Sequence, residues 1–406
     1  MQTEFKVIAG GTVTSPTGFK ANAVNAGIRK SKKDIAVLYS DQPAVAAALY
    51  TLNQFAAAPI IVTKAVLAKT DRLQAIVVNS GNANAYTGEQ GLKDAWSTIK
   101  LAADKLHLDP AKVAVASTGV IGVALPMPTI EAGLTELAAL GLSSTGGADF
   151  SEAILTTDLV AKELAVTVEI DGKLITIGGS AKGSGMINPN MGTMLAFVTT
   201  DAAIDADALD RLMRSTTDAS YNMVTVDGDT STNDMVICMT NGMAGNLPLN
   251  ENHPDWCGFK QAFRYVNKQL ARKIAADGEG ATKLITVTVM GADDLTMART
   301  VAKTVVGSNL VKTAVHGADP NWGRVIMAIG NSGYQINNNL LDIDFDELNV
   351  ISKGVVVDYD EALLIKELQQ DEVKIIVNFN QGKEKATAWG CDLTYDYVRI
   401  NASYRT

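Results

Sequence analysis

The densest run of reactive and turn-forming residues is Lys182-Gly-Ser-Gly-Met-Ile-Asn-Pro-Asn-Met-Gly-Thr193, followed at once by Met-Leu-Ala-Phe-Val-Thr-Thr-Asp-Ala. Gly183, Gly185, Pro189 and Gly192 make a turn-rich approach to a strand-like stretch, with Thr193 at the junction. The plain reading of that threonine is a β-branched residue opening a strand. The chemical reading is an N-to-O acyl shift. A strained Gly-Thr peptide would let the hydroxyl attack the preceding carbonyl, and hydrolysis of the resulting ester would cut the chain and free the threonine amine. Gly192, lacking a Cβ, tolerates the conformation this needs. An α-amine has an ordinary pKa of about 7.7–8.0, so part of it is neutral near pH 7 and can take the proton of its own hydroxyl.

A base of this kind matters because the usual ones are missing. No Walker A sequence, no G-x-G-x-x-G between strand and helix, no G-x-S-x-G elbow and no H-E-x-x-H occurs. His107 and His253 read as helix-end or loop residues, while His316, in His-Gly-Ala-Asp-Pro-Asn-Trp-Gly, could line a site or be structural. Cys238, Cys257 and Cys391 form no C-x-x-C pair, which argues against a disulfide framework or a thiolate zinc site.

The elements that must hold this segment are mixed. Strand-like runs recur, among them Ile35 to Tyr39, Pro59 to Thr63, Val113 to Ala116, Leu164 to Ile170, Met194 to Thr199, Met235 to Met239, Val325 to Ile329 and Tyr395 to Ile400. Strands are expected to supply the bulk of the fold. Helical patterns fall at Gly91 to His107, Pro128 to Leu140, Ala203 to Thr217 and about Phe259 to Ala276. The last is expected to close with a left-handed cap at Asp277-Gly278. An α/β fold with helices covering sheets follows.

With 406 residues, 47% of them hydrophobic, the chain can bury a large core. A net charge of -9 argues against a nucleic-acid binder, which needs a basic surface, and favours a small-molecule partner. No apolar run of transmembrane length and no signal-peptide start is seen, so a cytoplasmic protein is expected.

The segment around Thr193 resembles the autocleavage site of the ornithine acetyltransferase family, M-I-x-P-N-M-A-T-M-L-A-F, with Gly192 in place of the usual Ala. The resemblance spans the chain. Gly10-Gly11 with Pro16-Thr-Gly-Phe19, Ser40-Asp-Gln-Pro-Ala44 and Ala57-Ala-Pro-Ile60 are similar to the family. So is Asn79-Ser-Gly-Asn-Ala-Asn-Ala85, where Tyr86 replaces the usual cysteine before Thr-Gly88. Ser117-Thr-Gly-Val-Ile-Gly122, alone a strand-ending turn, resembles the family's oxyanion-hole segment, which implies that the Thr118 hydroxyl and the Gly119 N–H stabilise the oxyanion.

The same resemblance implies substrate contacts at Thr156, Lys182, Thr193, Glu279, Asn401 and Thr406. It implies Lys182 pairing with a carboxylate and Glu279 with the ornithine ammonium. Asp227 to Asp234 and Asp319 to Arg324 read as structural turns or pocket walls; the first lacks the full calcium-loop pattern.

The implied fold is a layered sandwich of β-sheets flanked by helices, of the self-processing N-terminal-nucleophile type shared with DmpA-like proteins. The implied products of cleavage are an α chain, 1–192, and a β chain, 193–406, assembled as a heterotetramer. The implied activity is ping-pong transfer of acetyl from N2-acetyl-L-ornithine to L-glutamate in arginine biosynthesis, with no metal or organic cofactor and with acetyl-CoA as a further donor. A self-processing amidohydrolase or aminopeptidase, and a non-catalytic small-molecule binding protein, stand as alternatives.

Overall fold

A computed structural model describes residues 4–188 and 194–403. The first sheet contains β1 (Phe5–Ile8), β2 (Phe19–Val24), β3 (Ile35–Tyr50), β4 (Arg72–Asn82), β5 (Val113–Val120), β6 (Lys162–Ile170), β7 (Lys173–Lys182), β8 (Leu195–Thr200) and β9 (Met235–Thr240). They run in the order β1-β6-β7-β8-β9-β3-β4-β5, with β2 also paired to β3. The second sheet contains β10 (Leu284–Ala292), β11 (Asp342–Phe345), β12 (Leu348–Ser352), β13 (Val355–Val356), β14 (Glu372–Asn378) and β15 (Glu384–Cys391), in the order β13-β12-β11-β14-β10-β15.

Eleven α-helices accompany them among the described residues: α1 (Ala58–Leu67), α2 (Gly88–Leu106), α3 (Met127–Leu140), α4 (Gly147–Ala153), α5 (Ala206–Asp218), α6 (Trp256–Ala276), α7 (Leu295–Gly307), α8 (Asn309–Gly317), α9 (Gly323–Gly330), α10 (Glu361–Leu368) and α11 (Tyr395–Ser403).

Side-chain alternation explains why the first sheet can be covered on both faces. Every residue of β8 is buried. Leu195 and Phe197 join one core with α1 to α4, whereas Ala196 and Val198 join the other with α5, α6 and the second sheet. α5 meets that second core through Ala208, Leu209, Leu212, Met213 and Thr216, a three-and-four spacing that gives a helix one apolar face. This is the layered sandwich of sheets and helices that the resemblance implied.

Strand ends converge where function was expected. In β7, Lys182 pairs with Leu195 of β8, which pairs in parallel with Met235 of β9, which pairs with Tyr50 at the end of β3. Thr118 and Gly119 end β5 beside Ser80 and Gly81 of β4.

Several sequence expectations are corrected. Helices hold more residues than strands. Pro59 to Thr63 lies in α1, because a proline in the first turn suits a helix and Ala58, Val62 and Val66 then share a buried face. Val325 to Ile329 forms α9, whose buried Val325, Ala328 and Ile329 follow helical rather than strand spacing. Tyr395 to Ile400 begins α11, where the Thr394 hydroxyl accepts the Tyr397 N–H at 3.2 Å as a capping residue does. The left-handed residue after α6 is Gly280 (φ 68°), not Asp277 or Gly278. Asp277 has φ −101° and turns its carboxylate inward to Lys162.

Candidate active site

The described candidates Thr118, Gly119, Thr156, Lys182, Glu279 and Asn401 all line one cavity of about 460 Å³. Met194 and Leu195, which follow the proposed nucleophile, line it too. Thr193, Gly192 and Thr406 lie outside the described residues.

β5 delivers Thr118 and Gly119 as it ends against β4. Gly119 has φ 135°, and a Cβ there would lie 2.3 Å from the carbonyl carbon of Gly81 and 2.5 Å from the amide nitrogen of Asn82. Only glycine combines that dihedral with so close a backbone approach. Behind the turn, Asn233 donates to the carbonyls of Ala83 (2.6 Å) and Ser117 (2.8 Å), while Ser117 donates to Asn79 Oδ1 (2.6 Å). The Asn79 to Ala85 block is therefore a hydrogen-bonded support for β5. Tyr86, at the unusual position, has φ 56° and points outward, 79% exposed, edge-on to Phe55, so it leaves this support untouched.

Lys182 ends β7, buried, and its Nζ donates to Thr118 Oγ1 at 3.2 Å. An ammonium only donates, so the threonine hydroxyl accepts here and keeps its own proton for another acceptor. Burial pulls the lysine pKa below its usual value, opposed chiefly by the charge of Asp158 and less by Asp234 and Glu279. Burial also pushes the Asp234 carboxyl well above the usual carboxylate range.

Glu279 approaches from beyond α6. Its N–H donates to Ser184 O (3.1 Å) and its Oε2 accepts from Asn401 Nδ2 of α11 at 2.7 Å. Gly185 makes room for it, since a Cβ there would sit 2.4 Å from the Glu279 Cδ. Arg29 fixes the Thr156 loop by donating to the carbonyls of Leu155 (2.6 Å) and Thr156 (3.2 Å).

The Asp227 to Asp234 block supplies cavity wall, as one of its readings held. Asp227 accepts from the amides of Met186 (2.6 Å) and Ile187 (2.8 Å), and from the Tyr397 hydroxyl at 3.3 Å, which holds the 185–187 turn. Tyr397 and Asn53 were not expected at the site. Nothing in their local sequence marks them, although Tyr397 lies one helical turn before Asn401, on the same face. Asp319 to Arg324 lies away from the cavity, where Arg324 donates to Leu310 O at 2.8 Å. The histidines are also elsewhere: His316 Nδ1 contacts Asp392 (3.0 Å), His253 Nε2 contacts Asp171 (3.1 Å), and His107 ends α2 in a left-handed conformation.

A lysine beside a hydroxyl free to donate, with a carboxylate on the same cavity, defines an α/β sandwich protein whose site suits a small charged molecule. Its relatives narrow this. The chain matches the model of the ArgJ family over residues 20–406 and belongs to that family. It is 51% identical over 403 residues to "Arginine biosynthesis bifunctional protein ArgJ" of Oceanobacillus iheyensis, covering 99% of this chain and 98% of that one. The Geobacillus kaustophilus protein of the same name is 53% identical over 399 residues, covering 98% and 97%. A crystal structure of the Bacillus halodurans protein of that name is 50% identical and has a TM-score of 0.51. It covers 52% of this chain and 100% of its own.

Proposed function

We propose that this enzyme transfers acetyl from N2-acetyl-L-ornithine to L-glutamate in arginine biosynthesis, with Thr193, freed by self-cleavage after Gly192, as nucleophile. Thr193 Oγ attacks the acetyl carbonyl while its own amine takes the proton. The Thr118 hydroxyl and the Gly119 N–H stabilise the oxyanion. The proton passes to the leaving α-amine of ornithine and an acetyl-threonine ester remains. The amine of glutamate then attacks the ester, N-acetyl-L-glutamate departs, and Thr193 regains its proton. Neither metal nor organic cofactor takes part.

The observation that carries this reading is the convergence of Thr118 and Lys182, from before the proposed cut, with Glu279 and Asn401, from after it, around Met194 and Leu195. Opposite charges at Lys182 and Glu279 suit a substrate bearing a carboxylate and an ammonium. The relatives' name supports a bifunctional role in arginine biosynthesis, and acetyl-CoA is the second donor that we propose. We infer a cytoplasmic heterotetramer of α chains 1–192 and β chains 193–406; among the described residues no helix is long and apolar enough to cross a membrane.

Intact mass spectrometry of the native protein and Thr193→Ala tests the reading. Two fragments of about half the 42.9 kDa mass, one beginning Thr-Met-Leu-Ala and both absent from the variant, are expected, together with glutamate-dependent turnover of acetylornithine. A single full-length band from active protein would overturn the nucleophile. Acetate release independent of glutamate would instead make the protein a hydrolase.

A further inference from the structure

Beside the cavity, the sandwich buries three charges that the proposed reaction does not use. Lys162 opens β6 and pairs in register with Ala181, one residue before Lys182. Its side chain is 0% exposed, and its Nζ lies 2.6 Å from Asp158 Oδ1 and 2.6 Å from Asp277 Oδ2. A third donation, to Val160 O at 3.3 Å, completes the ammonium's three hydrogen bonds.

The two carboxylates reach outward to the segments that carry the cavity residues. Asp158 Oδ2 accepts the N–H of Thr156 (3.0 Å), and its Oδ1 accepts the N–H of Gly183 (2.7 Å), next to Lys182. Asp277 Oδ2 accepts the N–H of Leu159 (3.1 Å), while its backbone carbonyl accepts the Ser184 hydroxyl (2.7 Å), two residues before Glu279. One ammonium thus ties together the loop bearing Thr156, the strand end bearing Lys182 and the helix end leading to Glu279.

Charge gives the cluster a second role. Two carboxylates around one ammonium leave one negative charge in excess, and Lys182 lies within its field. Burial favours a neutral Asp158, but the charges of Lys182 and then Lys162 hold its carboxyl well below the usual carboxylate range. The groups facing Lys182 are Asp158, Lys162, Asp234 and Glu279. Asp158 is the strongest of the attractive ones, while burial pushes the Asp234 carboxyl well above the usual carboxylate range.

We propose that Asp158, Lys162 and Asp277 are positioning residues, a buried charge triad that aligns Thr156, Lys182 and Glu279 and supplies the counter-charge that keeps Lys182 an ammonium. The alignment role rests on the function proposed above; the counter-charge role does not.

The experiment is an NMR titration of protein labelled with 15N at lysine Nζ, with Lys182 assigned by loss of its signal in Lys182→Arg. In Asp158→Asn the Lys182 midpoint should fall by about one to three pH units, the range that loss of one close opposite charge produces. The KM for L-glutamate should rise by about tenfold per unit as pH passes above the new midpoint, and stay near native below it. Should Asp158→Asn not fold, the charge-free combination Asp158→Asn, Lys162→Met, Asp277→Asn replaces it. It removes the same excess negative charge and should show the same fall. An unchanged Lys182 midpoint in either folded variant overturns the proposal. Absence of acetyl transfer by the native protein would instead overturn the function while the titration still decides the counter-charge.

Discussion

Gly185→Ala is the most informative single change, because it adds one methyl group at the point where Glu279 comes closest to the main chain. The new Cβ would lie 2.4 Å from Glu279 Cδ and Oε2 and 2.5 Å from Oε1. Ordinary contact begins near 3.5 Å, so the carboxylate must retreat by roughly 1 Å. Gly185 is not among the residues with positive φ, so alanine adds no backbone strain, and the crowded atoms end a flexible side chain. Folding should survive. The retreat should break the 2.7 Å bond from Asn401 and draw Glu279 from the place proposed for it opposite the ornithine ammonium.

Hydrogen bonds to charged groups contribute about 1.5–3 kcal/mol, which at 1.4 kcal/mol per tenfold raises the KM for acetylornithine by about 10- to 100-fold. Glutamate carries no side-chain ammonium, so its KM should change much less. Steady-state kinetics with each substrate varied in turn, beside a thermal melt as folding control, measures this. An unchanged acetylornithine KM in folded protein, or an equal rise for both substrates, would refute the assignment of Glu279 to the ammonium.

Thr118→Val keeps the shape of the side chain and removes its hydroxyl; kcat should fall by about 10²–10³ with little change in KM, whereas loss of an unrelated contact would raise KM alone. In the uncut Thr193→Ala background, where unfolding stays unimolecular, Asn233→Ala strips the donor from two carbonyls, Ala83 and Ser117, and should cost about 2–4 kcal/mol in urea unfolding; a loss under about 0.5 kcal/mol would show that the support is dispensable. Cys257 is exposed, whereas burial pushes the Cys391 thiol up to about 11 and Cys238 higher still. A raised pKa leaves a thiol protonated and unreactive near pH 8, so iodoacetamide should modify Cys257 alone in folded protein and all three after denaturation, as mass spectrometry would show.

The site was legible where one short motif carries its own chemistry. Ser117 to Gly122 and the segment from Lys182 announce themselves by glycines at tight turns, and both end strands that meet at the cavity. Asn53 and Tyr397 were hidden because their places at the cavity depend on elements distant in sequence arriving together. The strand expectations failed at Pro59 to Thr63, Val325 to Ile329 and Tyr395 to Ile400 for one reason. Short runs of β-branched or aromatic residues suit a buried helix as well as a buried strand, and only the arrangement of partners decides. The Asp158, Lys162 and Asp277 triad is invisible in sequence for the converse reason, since isolated charged residues ordinarily belong to solvent.

The strand order of the first sheet bears on how the protein comes into being. A cut after Gly192 assigns β1 to β7 to one polypeptide and β8 and β9 to the other, yet β8 and β9 lie between β7 and β3. Two strands of the later half are thus wedged within the ladder of the earlier one, hydrogen-bonded on both flanks. On that division neither half holds all the strands of the first sheet, although the second sheet lies wholly in the later one, so a precursor that folds first and is severed afterwards is the order the topology favours. Severing then turns a unimolecular folding problem into a bimolecular one. An enzyme severed as proposed would have no short path home once unfolded, and its lifetime would be set by how slowly it opens rather than by an equilibrium between open and closed.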